Sequence, residues 1–226
     1  MSGTKRIALY GGTFDPVHLG HLAVARKVSQ IFEVDDFLFV PAWIAPHKRT
    51  REVTPALHRY AMLALATQED SHLRISRVEL ESPDRSYTVE TLARFETELA
   101  GEAELFFVMG ADSWSEIQTW KDWERLLRMA NHIVITRPGY EIEVTGMSSE
   151  LRERIVDTRN SNEKRSKAKA PNKQIFITDA VQLEISATEI RLAASKGEID
   201  RLAELVPKPV ADYIIKYDLY RETNES

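Results

Sequence analysis

The chain has 226 residues, 43% of them hydrophobic and 29% charged, which fits a globular protein with room for a sizeable core and excludes collagenous, low-complexity or largely disordered classes. It contains no cysteine, so disulfides, thiolate metal sites and thiol nucleophiles are excluded. A formal net charge of −5 argues against a general polyanion binder, so no nucleic-acid partner is expected. No apolar run approaches the ~20 residues of a membrane span, so no membrane partner is expected either, and without a signal-peptide pattern the expected location is cytoplasmic.

In chain order, Ile7 to Tyr10 reads as a strand, and the apolar spacing of Leu22, Ala25, Val28 and Phe32 predicts a helix. Phe37 to Val40 is a second strand, stopped at Pro41. A helix through Leu57, Met62, Leu63 and Leu65 follows, then a strand over Leu73 to Val78. Thr88 to Leu99 is helical by pattern, Leu105 to Met109 is an unbroken apolar strand, and a helix over Trp123 to Met129 leads into a strand at Ile133 to Thr136. Gln174 to Ile177 resumes the sheet, and helical patterns fill Ser186 to Leu205 and Pro209 to Tyr217. Continuous apolar strands alternating with helices predict an α/β fold, a doubly wound, mostly parallel sheet with helices on both faces. Ligands of such sheets bind beyond the carboxyl ends of the strands.

The stretch from Arg159 to Lys173 breaks this rhythm with six basic residues against one acid, Glu163. It reads as a solvated surface loop, the alternative being a docking site for an anionic partner. With no internal repeat and no linker, residues 1–226 are expected to form a single domain.

The first turn, Gly11-Gly12-Thr13-Phe14-Asp15-Pro16-Val17-His18-Leu19-Gly20-His21, lies between the first strand and the first helix. Paired glycines allow a tight turn and close backbone approach, and a helix amino terminus favours an anion. The turn has neither P-loop nor dinucleotide-fingerprint spacing. His18 and His21, three apart, fall side by side on the first helical turn and can converge on one anion. A metal pair or plain packing are the other readings, and a helix amino terminus disfavours a cation.

This string resembles the nucleotidylyltransferase superfamily, whose H-x-G-H signature stands here as His18-Leu19-Gly20-His21. Its second signature, I-S-x-T-x-x-R, stands as Ile185-Ser186-Ala187-Thr188-Glu189-Ile190-Arg191 at a helix start. Gly11 to Pro16, Pro46-His47-Lys48, Ser86-Tyr87-Thr88, Gly110-Ala111-Asp112-Ser113, Trp120 and Arg137-Pro138-Gly139 narrow the resemblance to bacterial nicotinate-nucleotide adenylyltransferases of Rossmann-like fold. Ala187 departs from the serine common there. The resemblance implies that ATP and nicotinate mononucleotide are the partners, joined to give nicotinate adenine dinucleotide and pyrophosphate in NAD biosynthesis.

As the resemblance implies, His18, His21, Lys48 and Arg191 are the catalytic set. Gly11, Gly12, Thr13, Asp112, Ser186 and Thr188 join the histidines and Arg191 in binding ATP, Asp112 toward ribose hydroxyls. Thr13, Lys48, Tyr87, Thr88 and Trp120 bind nicotinate mononucleotide, with Trp120 stacking on the pyridine ring and backbone N–H groups near Tyr87 and Thr88 meeting its carboxylate. Capping is the plain reading of Ser186, Thr188 and Asp112, helix initiation that of Tyr87 and Thr88, turn formation that of Asp15, and core packing that of Trp114 and Trp123. Mg²⁺ is the expected cofactor, carried on ATP phosphates and largely hydrated, with no metal site on the protein itself. Other adenylyl or cytidylyl transfers on this fold, such as that of phosphopantetheine adenylyltransferase, and a non-catalytic nucleotide-binding regulator remain the alternatives. A homo-oligomer is possible but not readable.

Overall fold

Among the described residues seven strands, all parallel, form one sheet in the order β3-β2-β1-β4-β5-β7-β6. The computed structural model describes residues 4–43, 53–82, 87–136, 141–159, 172–181 and 185–221. The chain runs β1 (Lys5–Gly12), α1 (Leu19–Phe32), β2 (Asp36–Pro41), α2 (Ala56–Thr67), β3 (Leu73–Ile75), α3 (Thr88–Leu99), β4 (Ala103–Gly110), α4 (Ala111–Ser115), α5 (Trp123–Met129) and β5 (Asn131–Ile135). It continues through α6 (Ser149–Glu153), β6 (Ile155–Asp157), β7 (Ile175–Thr178), α7 (Ala187–Lys196), α8 (Ile199–Leu205) and α9 (Lys208–Lys216).

Strand periodicity sorts the core into two layers. Ala8, Phe37, Phe39, Phe106 and Val108 face α1, α7, α8 and α9 through Leu22, Val28, Ile190, Leu202 and Ile214. Ile7, Leu9, Phe107, Met109 and Val134 face the other way, onto Leu92 of α3, Trp114 of α4, Leu126 of α5 and Leu151 of α6. Neighbours in sequence thus pack on opposite faces, which is why the strands read as unbroken apolar runs.

Two elements stop or break inside the range the sequence reading gave them. The strand expected over Leu73 to Val78 ends at Ile75: after the Ser76 N–H donates to the Phe39 carbonyl, the chain turns, closed by Glu81 N–H to the Arg77 carbonyl. The helical pattern from Ser186 to Leu205 is two helices, because Gly197 adopts the left-handed conformation at φ 71° and caps α7, the usual way for glycine to end a helix.

Among the described residues no helix is long and apolar enough to cross a membrane. Arg159 is paired with Asp157 at 2.5 Å and the Lys173 carbonyl accepts from the Arg154 guanidinium. The rest of the basic segment lies outside the described residues.

Candidate active site

The strand order reverses between β1 and β4, so the crevice at their carboxyl ends is the topological switch point where ligands of open α/β sheets bind. Gly11 and Gly12 end β1 there and Gly110 ends β4. The two glycines do not make the turn, as the sequence led us to expect; they are still strand. A side chain on Gly11 would come within 3.1 Å of the Phe107 ring, and one on Gly12 within 2.9 Å of the Phe14 ring. The residue that turns the chain is Phe14, at φ 50°. Its left-handed backbone costs on the order of 1–2 kcal/mol, and its ring is gripped edge-on by Tyr10, Phe39 and His21. Gly12 therefore makes room for the side chain that forces the turn.

His18 is the N-cap of α1 rather than a residue of its first turn, and His21 is its third helical residue. Their rings stack with centroids 3.6 Å apart and planes 29° apart. The His18 backbone N–H donates to His21 Nδ1 at 3.3 Å, so a neutral His21 ring carries its proton on Nε2. His18 is 7% exposed, and its Nδ1 is buried without a hydrogen-bond partner. A side chain on Gly20 would approach that Nδ1 to 3.0 Å, so the glycine of the motif is the wall against which His18 rests. Nε2 is left as the atom able to meet a ligand. Burial pulls the His18 pKa down to about 4, and the ligand-free ring is neutral at pH 7.

The second motif reaches the first across the fold. Ser186 caps α7, its Oγ accepting from Glu189 N–H at 3.1 Å. Arg191 donates through Nη1 to the Asp15 carbonyl at 2.7 Å and through Nη2 to Thr188 Oγ1 at 2.9 Å. Capping thus accounts for Ser186, while Thr188 serves as a rest for Arg191. The Asp15 side chain is 2% exposed, so it lies beneath the turn. It accepts from the Tyr220 hydroxyl at 2.9 Å, a contact between residues 205 positions apart that no local pattern predicts.

On the other side of the crevice, Tyr87 is the N-cap of α3 and Thr88 its first residue. The Tyr87 N–H points to Glu90 Oε2 at a long 3.4 Å. Lys121 sits 4.5 Å above the Tyr87 ring and bonds Glu90 at 2.6 Å, which brings the neighbouring Trp120 to the same rim. Trp120 is half-buried, edge-on to Phe107 at 6.4 Å. Trp114 is 1% exposed and donates to the Glu143 carbonyl, and Trp123 packs on the same core face, as core residues should. Asp112 is exposed in the first turn of α4, where Gly110 is the N-cap, so capping does not explain it. Thr13 follows β1, half-exposed. Lys48, with Pro46 and His47, lies outside the described residues, as do Ser86 and Arg137 to Gly139.

The sequence reading missed Arg59. This α2 side chain is 1% exposed and donates only to carbonyls: Thr54 at 2.8 Å, Thr13 at 2.6 Å, Ala42 at 2.7 Å and Trp43 at 3.1 Å. The available signal was its position. Ala56, Arg59 and Leu63 recur at the spacing of one buried helix face, where a cation needs a dedicated set of acceptors.

Buried neutral imidazoles give the protein a measurable pH dependence. His132 in β5 is fully buried, with its pKa down to about 3, and His18 behaves similarly. Both lie below the ordinary value of 6.5, so the unfolded chain takes up protons first and stability falls as pH drops through 6.5. Each histidine costs about 2 kcal/mol between pH 7 and pH 5. Glu79, pushed up to about 7 by burial, works in the opposite direction over the same range. The sharp expectation is therefore differential: in urea melts, His132→Gln loses about 2 kcal/mol less than the parent chain between pH 7 and 5. Equal losses would show that His132 is not held neutral.

A cytidylyltransferase-like family model matches residues 9–193, a span that includes both signatures. A protein named probable nicotinate-nucleotide adenylyltransferase from Thermoanaerobacter sp. is 36% identical over 226 residues, covering 100% of this chain and 99% of its own. One of the same name from Nocardioides sp. is 36% identical over 93% of this chain and 91% of its own. Among solved structures, Plasmodium falciparum nicotinic acid mononucleotide adenylyltransferase complexed with NaAD superposes with TM-score 0.71 at 23% identity, covering 96% of this chain and 97% of that one, which bears out the doubly wound fold. On the strength of matches that run the length of the chain, this protein belongs to the cytidylyltransferase-like family and, within it, to the nicotinate-nucleotide adenylyltransferases.

Proposed function

We propose that the chain moves the adenylyl group of ATP onto the 5′-phosphate of nicotinate mononucleotide, giving nicotinate adenine dinucleotide and pyrophosphate, a step of NAD biosynthesis. The observation that carries this reading is the meeting of the two signatures: Arg191 bonds the Asp15 carbonyl, so a guanidinium and the His18–His21 pair share one turn at the sheet's switch point.

The chemistry needs little more. An acceptor phosphate monoester has a second pKa of about 6 and is an anionic nucleophile near neutral pH without a general base. Its oxygen attacks the α-phosphorus of ATP, the bond from that phosphorus to the bridging oxygen breaks, and pyrophosphate leaves with the electron pair. The protein's task is to align two anions and to stabilise charge on the α-phosphoryl and the leaving group. Nε2 of His18 and of His21 donate to triphosphate oxygens, with the helix amino terminus behind them. The His18 ring, neutral without ligand, gains charge only as phosphate arrives. Arg191 lies across the turn, its guanidinium oriented by Asp15 and Thr188, and Lys48 neutralises phosphate from the acceptor side. Gly11, Gly12 and Thr13 carry the end of β1 up to the nucleotide, Asp112 accepts from its ribose, and Ser186 and Thr188 line the α7 end. Thr88, first in α3, offers a backbone N–H to the nicotinate carboxylate, and Tyr87 offers one that Glu90 holds only weakly.

The donor set of two imidazoles and a guanidinium suits phosphate oxygens, and the described residues hold no cluster of three potential metal ligands. Mg²⁺ fits as a cation carried on ATP, where it neutralises phosphate charge, with waters completing its shell. The whole chain acts as one catalytic unit, in the cytoplasm where ATP is made available.

The test is pyrophosphate release in ATP and Mg²⁺ with nicotinate mononucleotide, nicotinamide mononucleotide or phosphopantetheine as acceptor. Preferred turnover of nicotinate mononucleotide is expected; release with phosphopantetheine alone, or with none of the three, overturns the assignment. Trp120→Ala is expected to raise KM for nicotinate mononucleotide by about tenfold, the scale of one lost stacking contact, and to leave KM for ATP within twofold. Equal changes in both would remove Trp120 from the acceptor site.

A further inference from the structure

We infer that Arg59 is a positioning residue for adenylyl transfer: from within α2 its one guanidinium ties the turn at Thr13 and the end of β2, already joined to each other through the Ala42 N–H and the Gly12 carbonyl, to the stretch before α2, and so sets where the donors of that turn stand. The inference rests on the function proposed above.

Three features separate this side chain from an ordinary buried cation. First, its hydrogen bonds go to backbone carbonyls in three separate segments: Thr13 after β1, Ala42 and Trp43 after β2, and Thr54 before α2. No helix or strand ladder joins the Thr13 turn to the stretch before α2, and the guanidinium does. Second, the chosen carbonyls are all at the carboxyl edge of the sheet, where the reaction is placed. Thr13 is followed immediately by Phe14, whose left-handed backbone turns the chain between β1 and His18. Trp43 and Thr54 flank, in sequence, the segment that carries Lys48. Third, the network continues to the second motif. Asp15, close enough to Arg59 to act on its charge, accepts from Tyr220 through its side chain and from Arg191 through its carbonyl. A planar fork with five donors can hold several carbonyls in one plane at once, which an ammonium group cannot do.

Positioning residues have a recognisable kinetic signature. A displacement of about 1 Å in groups that align reactants costs up to about 10² in rate, although each substrate alone still finds its contacts. Arg59→Lys keeps the charge and loses the fork, and Arg59→Gln keeps two donors and loses the charge. For each variant that melts cooperatively, we expect kcat at 25 °C to fall by about 30- to 100-fold, with KM for nicotinate mononucleotide and the dissociation constant of ATP alone within threefold of the parent. The parent chain assayed in parallel separates the two readings, since its own failure to turn over would sink the proposed function and not this assignment.

A variant with lowered Tm but a kcat within twofold of the parent overturns the inference and leaves Arg59 as a stability residue. A rate loss that appears wholly as weaker ATP binding overturns it too. If neither variant folds, Arg59 is a folding determinant and the positioning role is withdrawn.

Discussion

Replacing His18 by alanine is expected to lower kcat for adenylyl transfer by about 10²- to 10³-fold and to leave the fold in place. On the proposed mechanism the rate effect follows from losing one preorganised donor aimed at charge that develops in the transition state. The small structural cost follows from the site itself: His18 Nδ1 is buried without a partner, so the alanine variant loses no hydrogen bond there and sheds a desolvated polar atom. Tm at pH 7 should stay within a few degrees of the parent. Because the two rings stack at 3.6 Å, His18→Ala and His21→Ala should not add: the double variant is expected to be little slower than the worse single one. A His18→Ala protein with kcat within threefold of the parent would make the ring a packing residue.

Arg191→Lys is the second large effect, a loss of about 10²-fold in kcat/KM expressed mainly in kcat. Arg191 donates through Nη1 to the Asp15 carbonyl and through Nη2 to Thr188 Oγ1, and these two anchors fix the plane and direction of the guanidinium. Lysine reaches the same region with a point charge but cannot be anchored twice and still face a phosphate. Long-range attraction for ATP survives and oriented stabilisation does not, so the ATP KM should move by less than about fivefold. A lysine variant that turns over at the parent rate, or fails only through ATP KM, would reduce Arg191 to a general cation.

The fold was legible wherever long apolar periodicity decided it: Thr88–Leu99 and Trp123–Met129 are helices with the boundaries their patterns imply. What escaped was short or non-local. Helices α4 and α6, of five residues each, and strand β6, of three, are too brief for a period to register. The turn after β1 was legible as a break between strand and helix but not in its construction, because nothing local reveals that Gly12 yields space to Phe14 or that Phe14 carries the left-handed backbone. The signatures announced His18, His21 and Arg191, whereas their meeting depends on contacts such as Arg191 to Asp15 across 176 positions. Arg59 lay within reach of pattern reading, as a cation on an apolar helix face, and became informative only once its four acceptors were known.

A crystal structure of the protein with a non-hydrolysable ATP analogue tests the central claim most directly. Nε2 of His18 and Nε2 of His21 are expected within about 3.2 Å of triphosphate oxygens, with Arg191 on the same triphosphate and the turn at Thr13 unmoved. A triphosphate held elsewhere on the sheet edge, with both imidazoles out of reach, would contradict the account.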